Sequence, residues 1–398
     1  MKLIYLANNR IPSEKANSLQ IMQMCQAFRE QGVEVELVVP RRAQPRTMRS
    51  VKDPFAYYGL KSRFPIVWLP CVDALEVAPA PAQHAAFALQ STTYALAVAA
   101  YLATHKADMY YSRDPLSTVL LALSPASIRE RSVYEAHTFP GPGRRRELHL
   151  WAVRRIAHLV CITRGLAEEY RIQGVPGERI LVAPDAVDLD RFRSMPEKSE
   201  ARRQLGIPEE ARVACYTGHL YPWKGAHTLA MASRLMPEGY LVYLVGGTEE
   251  DCRGFRRFLA DHGLGRVRLV GHVTPDRVIG YLAAADVLVL PNSATDVRSS
   301  RYTSPMKLFE YMAARRPIVA SRLPSLQEVL RDGENALLVE PDDPQALAEG
   351  IATMSCDAAL ARQLAARAWL EAQGRSWAGR AKAILCLTGD TRETAQLI

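Results

Sequence analysis

The sequence predicts an α/β protein made of two doubly wound parallel sheets. Three observations predict it. The chain has 398 residues, too many for one ordinary core and suited to two. Short apolar, β-rich runs alternate with segments long enough to hold a crossover helix, the pattern of a parallel sheet. The alternation stops once, at a stretch rich in Pro and charge, and then restarts.

The first half supplies KLIYLA, EVELVVP, IVWLP, DMYYSR, VYEAH, HLVCIT and ILVAP as strands. The stretch RFRSMPEKSEARRQLGIPEEAR interrupts them, and VACYTG, LVYLVGG, RVRLVG, DVLVLP, PIVAS and ALLVE follow, so the second sheet starts near Arg212. The segment Asp357 to Ile398 is helical in pattern, with Trp369 and Trp377 at its centre, and closes the second domain or returns to the first. The expected organisation is an N-terminal domain over 1–190, a C-terminal domain over 191–375 and a last helix over 376–398.

Composition narrows the class. With 48% apolar and 23% charged residues, the chain is neither disordered nor fibrous. The start MKLIYLANNRIPSEKANS reaches Asn8 and Asn9 before a signal core could form, so a cytoplasmic protein is expected. The most apolar segment, Tyr94 to His105, is shorter than the roughly 20 residues that span a bilayer and is expected to be a buried helix. The seven cysteines (Cys25, Cys71, Cys161, Cys215, Cys252, Cys356, Cys386) show no metal-ligand spacing and are expected to be reduced, buried thiols. A net charge of +8 suits an anionic partner without choosing among nucleic acid, lipid and phosphate-bearing ligands.

In doubly wound sheets ligands gather at the carboxyl ends of the strands, where helix N-termini and loops converge. Two such places stand out. In YTSPMKLFEYMAARRPIVASR, from Tyr302 to Arg322, Ser304-Pro305 makes a helix start with a hydroxyl to cap it and Pro in the first turn. The N–H groups of that start suit a diphosphate. Glu310, about two turns on, either accepts from a ribose diol or is a solvated helix residue. In YTGHLYPWKG, from Tyr216 to Gly225, Gly218 permits close approach of a ligand to the backbone. Lys224 there is either a point charge for phosphate or an ordinary surface lysine.

These stretches, with SPMKLFEYMAARRPIVAS between VLVLPNS and ENALLVEPDD, resemble the donor-binding domain of family 4 retaining glycosyltransferases, whose GT-B fold is two Rossmann-like domains facing across a cleft. In the first half, RIPSEKANSLQIMQMCQAFREQGVEVELV resembles the family's first loop and helix. YEAHTF and ITRGLAEEY with ILVAPDAVDLDRF resemble its later strand ends and the run into the linker. The resemblance covers nearly the whole chain.

The resemblance implies a metal-independent hexosyltransferase that moves a sugar, with retention, from a nucleotide-diphosphate sugar such as a UDP-sugar. It makes Lys224 a phosphate ligand and Glu310 the ribose-binding second Glu of the family's E-x7-E element. Gly271, His272 and Val273 become the loop whose backbone reads the base. His137 becomes a histidine that reaches the donor sugar, or else a structural residue at a strand end. Donor contacts are further expected from Gly218, His219 and the run Tyr302, Thr303, Ser304, Pro305 and Met306, and His137 and Lys224 are the catalytic candidates. The chain departs from the pattern twice: Tyr302 stands where the first Glu of E-x7-E falls, and His219 stands where a phosphate-binding Arg is usual.

Asp188-Leu189-Asp190 spells the DxD of metal-dependent glycosyltransferases, but it falls in the run into the linker and is expected to be structural, with no metal or other cofactor. Gly246-Gly247 lacks the spacing of a dinucleotide fingerprint. Basic residues at Arg41, Arg42, Arg46 and Arg49, and at Arg144, Arg145, Arg146, Arg154 and Arg155, are either solvated faces or contacts to anionic lipid and a lipid-linked acceptor. Such contacts would place the protein on the inner face of a membrane, in polysaccharide or glycolipid synthesis. Without interleaved aromatics, they do not suit nucleic acid. The alternatives to a transferase are a nucleotide-sugar epimerase of the same fold and a non-catalytic binding subunit.

Overall fold

The computed structural model describes residues 1–75 and 77–389, so residues 390–398 of the expected last helix lie outside the described residues. The chain forms two compact units, Met1–Pro184 joined by the chain from Trp377 onward, and Asp185–Ser376. The first seven apolar runs are the strands β1 (Lys2–Leu6), β2 (Glu34–Pro40), β3 (Ile66–Leu69), β4 (Met109–Ser112), β5 (Ser132–Ala136), β6 (His158–Cys161) and β7 (Ile180–Val182). They pair in parallel in the order β3-β2-β1-β4-β5-β6-β7. β4 and β5 are buried along their whole length, because helices on both faces of a parallel sheet leave no solvent side and select continuous apolar runs.

The one ionised side chain in those two strands is Glu135, which is 0% exposed. Burying a lone carboxylate is prohibitive, and this one is fully answered. Its Oε1 accepts from Gln20 Nε2 at 2.7 Å and from His137 Nε2 at 2.5 Å. Its Oε2 accepts from the Tyr111 hydroxyl and from Arg380 Nη1, the latter at 3.0 Å. Burial alone would raise the Glu135 pKa, but Arg380, His137 and Arg113 outweigh it and hold the carboxyl well below its ordinary value. Arg380 lies on the helix Trp377–Thr388, which packs on the helix Ala16–Glu30 of the same unit. Its guanidinium also donates to the carbonyls of Ala183 and Pro184.

The expected buried helix around Tyr94 is part of a longer one, Gln83–Thr104, and only one of its faces is buried. Tyr94 donates to the Val38 carbonyl at 2.8 Å, while Phe87 and Leu96 are 52% and 68% exposed. With the preceding turn, Ala80–Thr104 is long and apolar enough to cross a membrane by length and composition. The thiols likewise divide. Cys25, Cys161, Cys215 and Cys252 are buried, Cys71 is half-buried, and Cys356 and Cys386 are exposed, all of them free.

The second unit carries β8 (Arg212–Thr217), β9 (Tyr240–Val245), β10 (Val267–Gly271), β11 (Val287–Leu290), β12 (Ile318–Ser321) and β13 (Leu337–Val339), in the parallel order β10-β9-β8-β11-β12-β13. This is the Rossmann order, and its direction of winding reverses between β8 and β11. Side chains alternate across the sheet. Val213 and Cys215 of β8 enter one core layer with Phe309 and Tyr311, and Ala214 and Tyr216 enter the other with Leu229 and Phe255. The expected boundary after residue 190 falls instead after Pro184. The intervening run belongs to the second unit because Asp185 N–H donates to Ser304 Oγ and Val187 N–H to the Arg375 carbonyl.

Replacing Arg380 with Leu strands Glu135 without its permanent cation and should destabilise the protein by roughly 3–5 kcal/mol at neutral pH. A carboxyl whose folded pKa is depressed contributes stability above its unfolded pKa of about 4.3 and loses it as pH falls. The deficit of Arg380→Leu against wild type should therefore be full at pH 7 and shrink below pH ~4, as read by urea unfolding at each pH.

Candidate functional site

The reversal between β8 and β11 is where the carboxyl ends of the second sheet open. β8 ends at Thr217, whose N–H donates to the Tyr311 hydroxyl at 2.8 Å. That bond ties the strand end to the helix Met306–Ala313. Gly218 follows with φ 126° and donates to the Val245 carbonyl at 2.8 Å. Gly246, at φ 119°, closes over it: a Cβ at Gly246 would lie 2.5 Å from the Gly218 oxygen. Only glycine permits this approach. Beneath the loop, the Tyr216 hydroxyl donates to the His219 carbonyl at 2.6 Å, so the Tyr216 ring forms the floor.

The turn bearing Lys224 is pinned to the end of β11. The Trp223 carbonyl accepts from Ser293 N–H at 3.0 Å and from Ser299 Oγ at 3.1 Å. Gly225, at φ 74°, passes so close to Pro291 that a Cβ would meet its carbonyl oxygen at 1.6 Å. Lys224 Nζ lies 5.6 Å and 5.2 Å from the ring centroids of Tyr221 and Trp223. Burial draws its pKa down to about 8, against the opposing pull of Asp251. The His219 ring stacks on Tyr221 with centroids 5.1 Å apart, and its Nδ1 lies 3.6 Å from Asp251 Oδ2. Asp251 is itself held in the first turn of the helix Glu249–Asp261, where it and Thr248 bond reciprocally.

The second predicted stretch needs correction at its start. The helix begins at Met306 with Pro305 as its N-cap, and no side chain caps it. The Ser304 hydroxyl, expected to do so, accepts from Asp185 N–H at 3.1 Å instead. Thr303 and Met306 are half-buried beside it, and Tyr302 is buried at the end of a wide helical turn, Arg298–Tyr302. Glu310 is the fifth residue of the helix, about one turn from its start and not two. Burial raises its pKa, opposed by Arg191 and Lys307.

Gly271 ends β10 at φ 82°, and its carbonyl accepts from Gly246 N–H at 2.7 Å. The loop after β10 thus adjoins the glycine turn, with His272 exposed and Val273 packed on the core. Gly218, His219, Lys224, Gly271 and the start of the Glu310 helix are therefore brought to one end of one sheet. His137 belongs to the first unit, where it donates to Glu135 after β5. Asp188 of the DxD sequence accepts from Asp190 N–H and so caps the short helix Leu189–Arg193.

Four residues of this region escape the sequence reading. Lys307 is buried, and its Nζ has no hydrogen-bond partner. It lies 3.7 Å from the Tyr216 ring centroid and 3.8 Å from where a Cβ of Gly218 would be. Its pKa is drawn well down by burial first and then by Lys224, with Glu310 opposing. Arg191, whose side chain is 14% exposed, places Nη2 3.8 Å from Asp276 Oδ1 and acts on Glu310. Asp251 and Tyr311 complete the set. The available signal was a charge in apolar surroundings: Lys307 directly precedes Leu308 and Phe309, and Arg191 precedes Phe192.

Comparison with known proteins agrees with this fold. Residues 19–191 match the family model described as Glycosyltransferase Family 4, and residues 211–357 match that described as Glycosyl transferases group 1. The D-inositol 3-phosphate glycosyltransferase of Corynebacterium urealyticum is 29% identical over 219 residues, 52% of this chain and 50% of that protein. The lipopolysaccharide core biosynthesis glycosyltransferase LpsE of Rhizobium meliloti is 31% identical over 210 residues, 52% and 57% of the two chains. The chain thus spans about half the length of the curated relatives it matches. Among solved structures, Anabaena HepE in complex with UDP superposes with a TM-score of 0.75 at 20% identity, covering 97% of this chain and 98% of that one. Sucrose-phosphate synthase of Thermosynechococcus elongatus gives 0.78 at 20% identity, with the same coverage. At these identities the likeness to both is one of fold.

Gly225→Ala should cost on the order of 2–3 kcal/mol, since it places a methyl group against the Pro291 carbonyl and forces an L residue to positive φ. Chemical denaturation of the variant against wild type would measure it.

Proposed function

Because the chain belongs to the family 4 glycosyltransferases and has the GT-B fold, we propose that it moves a sugar, with retention, from a nucleotide-diphosphate sugar to an acceptor of cell-envelope glycan or glycolipid synthesis. One observation carries the reading: at the β8–β11 reversal a glycine loop, Lys224, an uncapped helix start and Glu310 stand at the end of one sheet. A helix N-terminus and a lysine suit a diphosphate, and a half-buried carboxylate one turn in suits a ribose diol. UDP and UDP-glucose occupy HepE, which shares the fold, and this favours uracil as the base. The relatives' names point to inositol phosphate and lipopolysaccharide core as acceptors.

In this reading the chemistry is positioning and electrostatics. Gly218 lets the backbone meet the diphosphate, and the N–H groups of the Met306 helix with Lys224 take up charge as the sugar–phosphate bond breaks, with no resident metal required. Glu310 orients the ribose, and Gly271, His272 and Val273 read the base. We assign His137 to the transferred sugar on the family resemblance alone. The acceptor hydroxyl's proton passes to the leaving phosphate, because no general base is otherwise assigned.

We further assign the helix Arg144–Arg155 to an anionic membrane surface on the cytoplasmic side. Arg144, Arg145, Arg154 and Arg155 are exposed together with Leu148 and Trp151, at 51% and 37%. Basic residues with an apolar pair at helical spacing suit an interfacial helix.

Two tests follow. A thermal-shift screen of UDP-, GDP-, ADP- and dTDP-glucose should show one clear stabiliser, and Lys224→Ala should weaken that ligand by about one to two orders of magnitude. Unchanged affinity in the folded variant would remove Lys224 from the site. Sedimentation with liposomes should require anionic lipid and fade as salt rises above ~0.1 M. Leu148→Ser with Trp151→Ser should abolish it, whereas equal binding to neutral vesicles would overturn the membrane assignment.

A further inference from the structure

The ammonium of Lys307 is out of place for a structural residue. It is buried, donates to no hydrogen-bond acceptor and rests on the Tyr216 ring. Lys224 stands on the turn after β8, Glu310 on its own helix and Tyr216 on β8 beneath. Lys224 repels it, and Glu310 lies one turn further along the helix without bonding to it. A buried ammonium without a partner costs several kcal/mol in an effective low-dielectric site, so the chain carries here an amine without a hydrogen-bond acceptor, one van der Waals contact from the Gly218 loop, that an anion would hold in its charged form.

Charge counting gives it a purpose. The diphosphate of an intact nucleotide sugar carries two negative charges, both diesters and ionised throughout the neutral range. Lys224 answers one. His219, which stands where a permanent cation is usual in the family, faces the Asp251 carboxylate at 3.6 Å, so its charge, when present, is already answered within the protein. Resting on the donor reading given above, we propose that Lys307 is the second diphosphate-binding cation of this site and takes the place of the arginine that His219 replaces. Its ammonium meets the diphosphate from beneath the Gly218 loop while Lys224 meets it from the side of the Trp223 turn.

Lys307→Met keeps the length and removes the charge. Compared with wild type in the ligand-free state, the variant should melt higher, because an unpaired buried ammonium has been replaced by an apolar group of similar size. Its affinity for UDP-glucose, or for whichever glucose nucleotide the screen selects, should fall at least tenfold, while its affinity for the free nucleoside, measured by competition, should not change. A lower melting temperature, or a variant that does not fold, would mean that the ammonium supports the loop and would overturn the proposal. Equal affinity for the nucleotide sugar would overturn it too, with the donor reading intact if Lys224→Ala binds weakly. A parallel loss of nucleoside affinity would place the effect on the loop and not on the diphosphate, again against it. If wild type bound none of the four nucleotide sugars, the donor reading itself would fail and this inference with it.

Discussion

Two ammonium groups, those of Lys224 and Lys307, are held in one poorly hydrated corner of the second unit with no carboxylate hydrogen-bonded to either. They repel each other, and burial lowers the pKa of both. The surrounding structure opposes that repulsion with restraints that carry no compensating charge. Ser293 and Ser299 hold the Trp223 carbonyl, Gly225 lies hard against Pro291, and Tyr311 ties the end of β8 to the helix that carries Lys307. Restraints of this kind preorganise the corner, which is what the proposed binding of a diphosphate would need.

The first unit treats its buried charge in the opposite way. Glu135 accepts from Gln20, His137, Tyr111 and Arg380, so all of its lone-pair directions are used inside the protein. Such a network rigidifies rather than binds. It also gives the final helix its reason to return: Arg380 joins Glu135 of β5 to the carbonyls that end the unit at Ala183 and Pro184. His137 is oriented by the same carboxylate, so the residue assigned to the sugar takes its ring position from a core strand and not from a loop.

The two departures from the family pattern acquire physical content from the fold. Tyr302 is buried, so its phenol packs inside the unit at the position where the resemblance implies a carboxylate. His219 stacks on Tyr221 and faces Asp251, which belongs to the reciprocal cap of a helix.

All thirteen strands were legible in the sequence, because strands of a parallel sheet read as short, largely apolar runs separated by crossover-length segments. Gly218, Lys224 and Glu310 were legible because strand ends and helix starts leave local marks: a glycine, a cation after a turn, a Pro before an apolar helical run. What the sequence could not show was which polar atoms answer one another across the fold. Ser304 reads as a helix cap and instead holds Asp185; Lys307 reads as one more helix residue and proves to be a buried cation; Glu135 reads as part of a strand and proves to be tied to Arg380, which is 245 residues away. Local backbone preference and periodicity act over a few residues and are written along the chain, whereas desolvation and charge pairing depend on distances between residues remote in sequence, and those exist only once the sheets have formed.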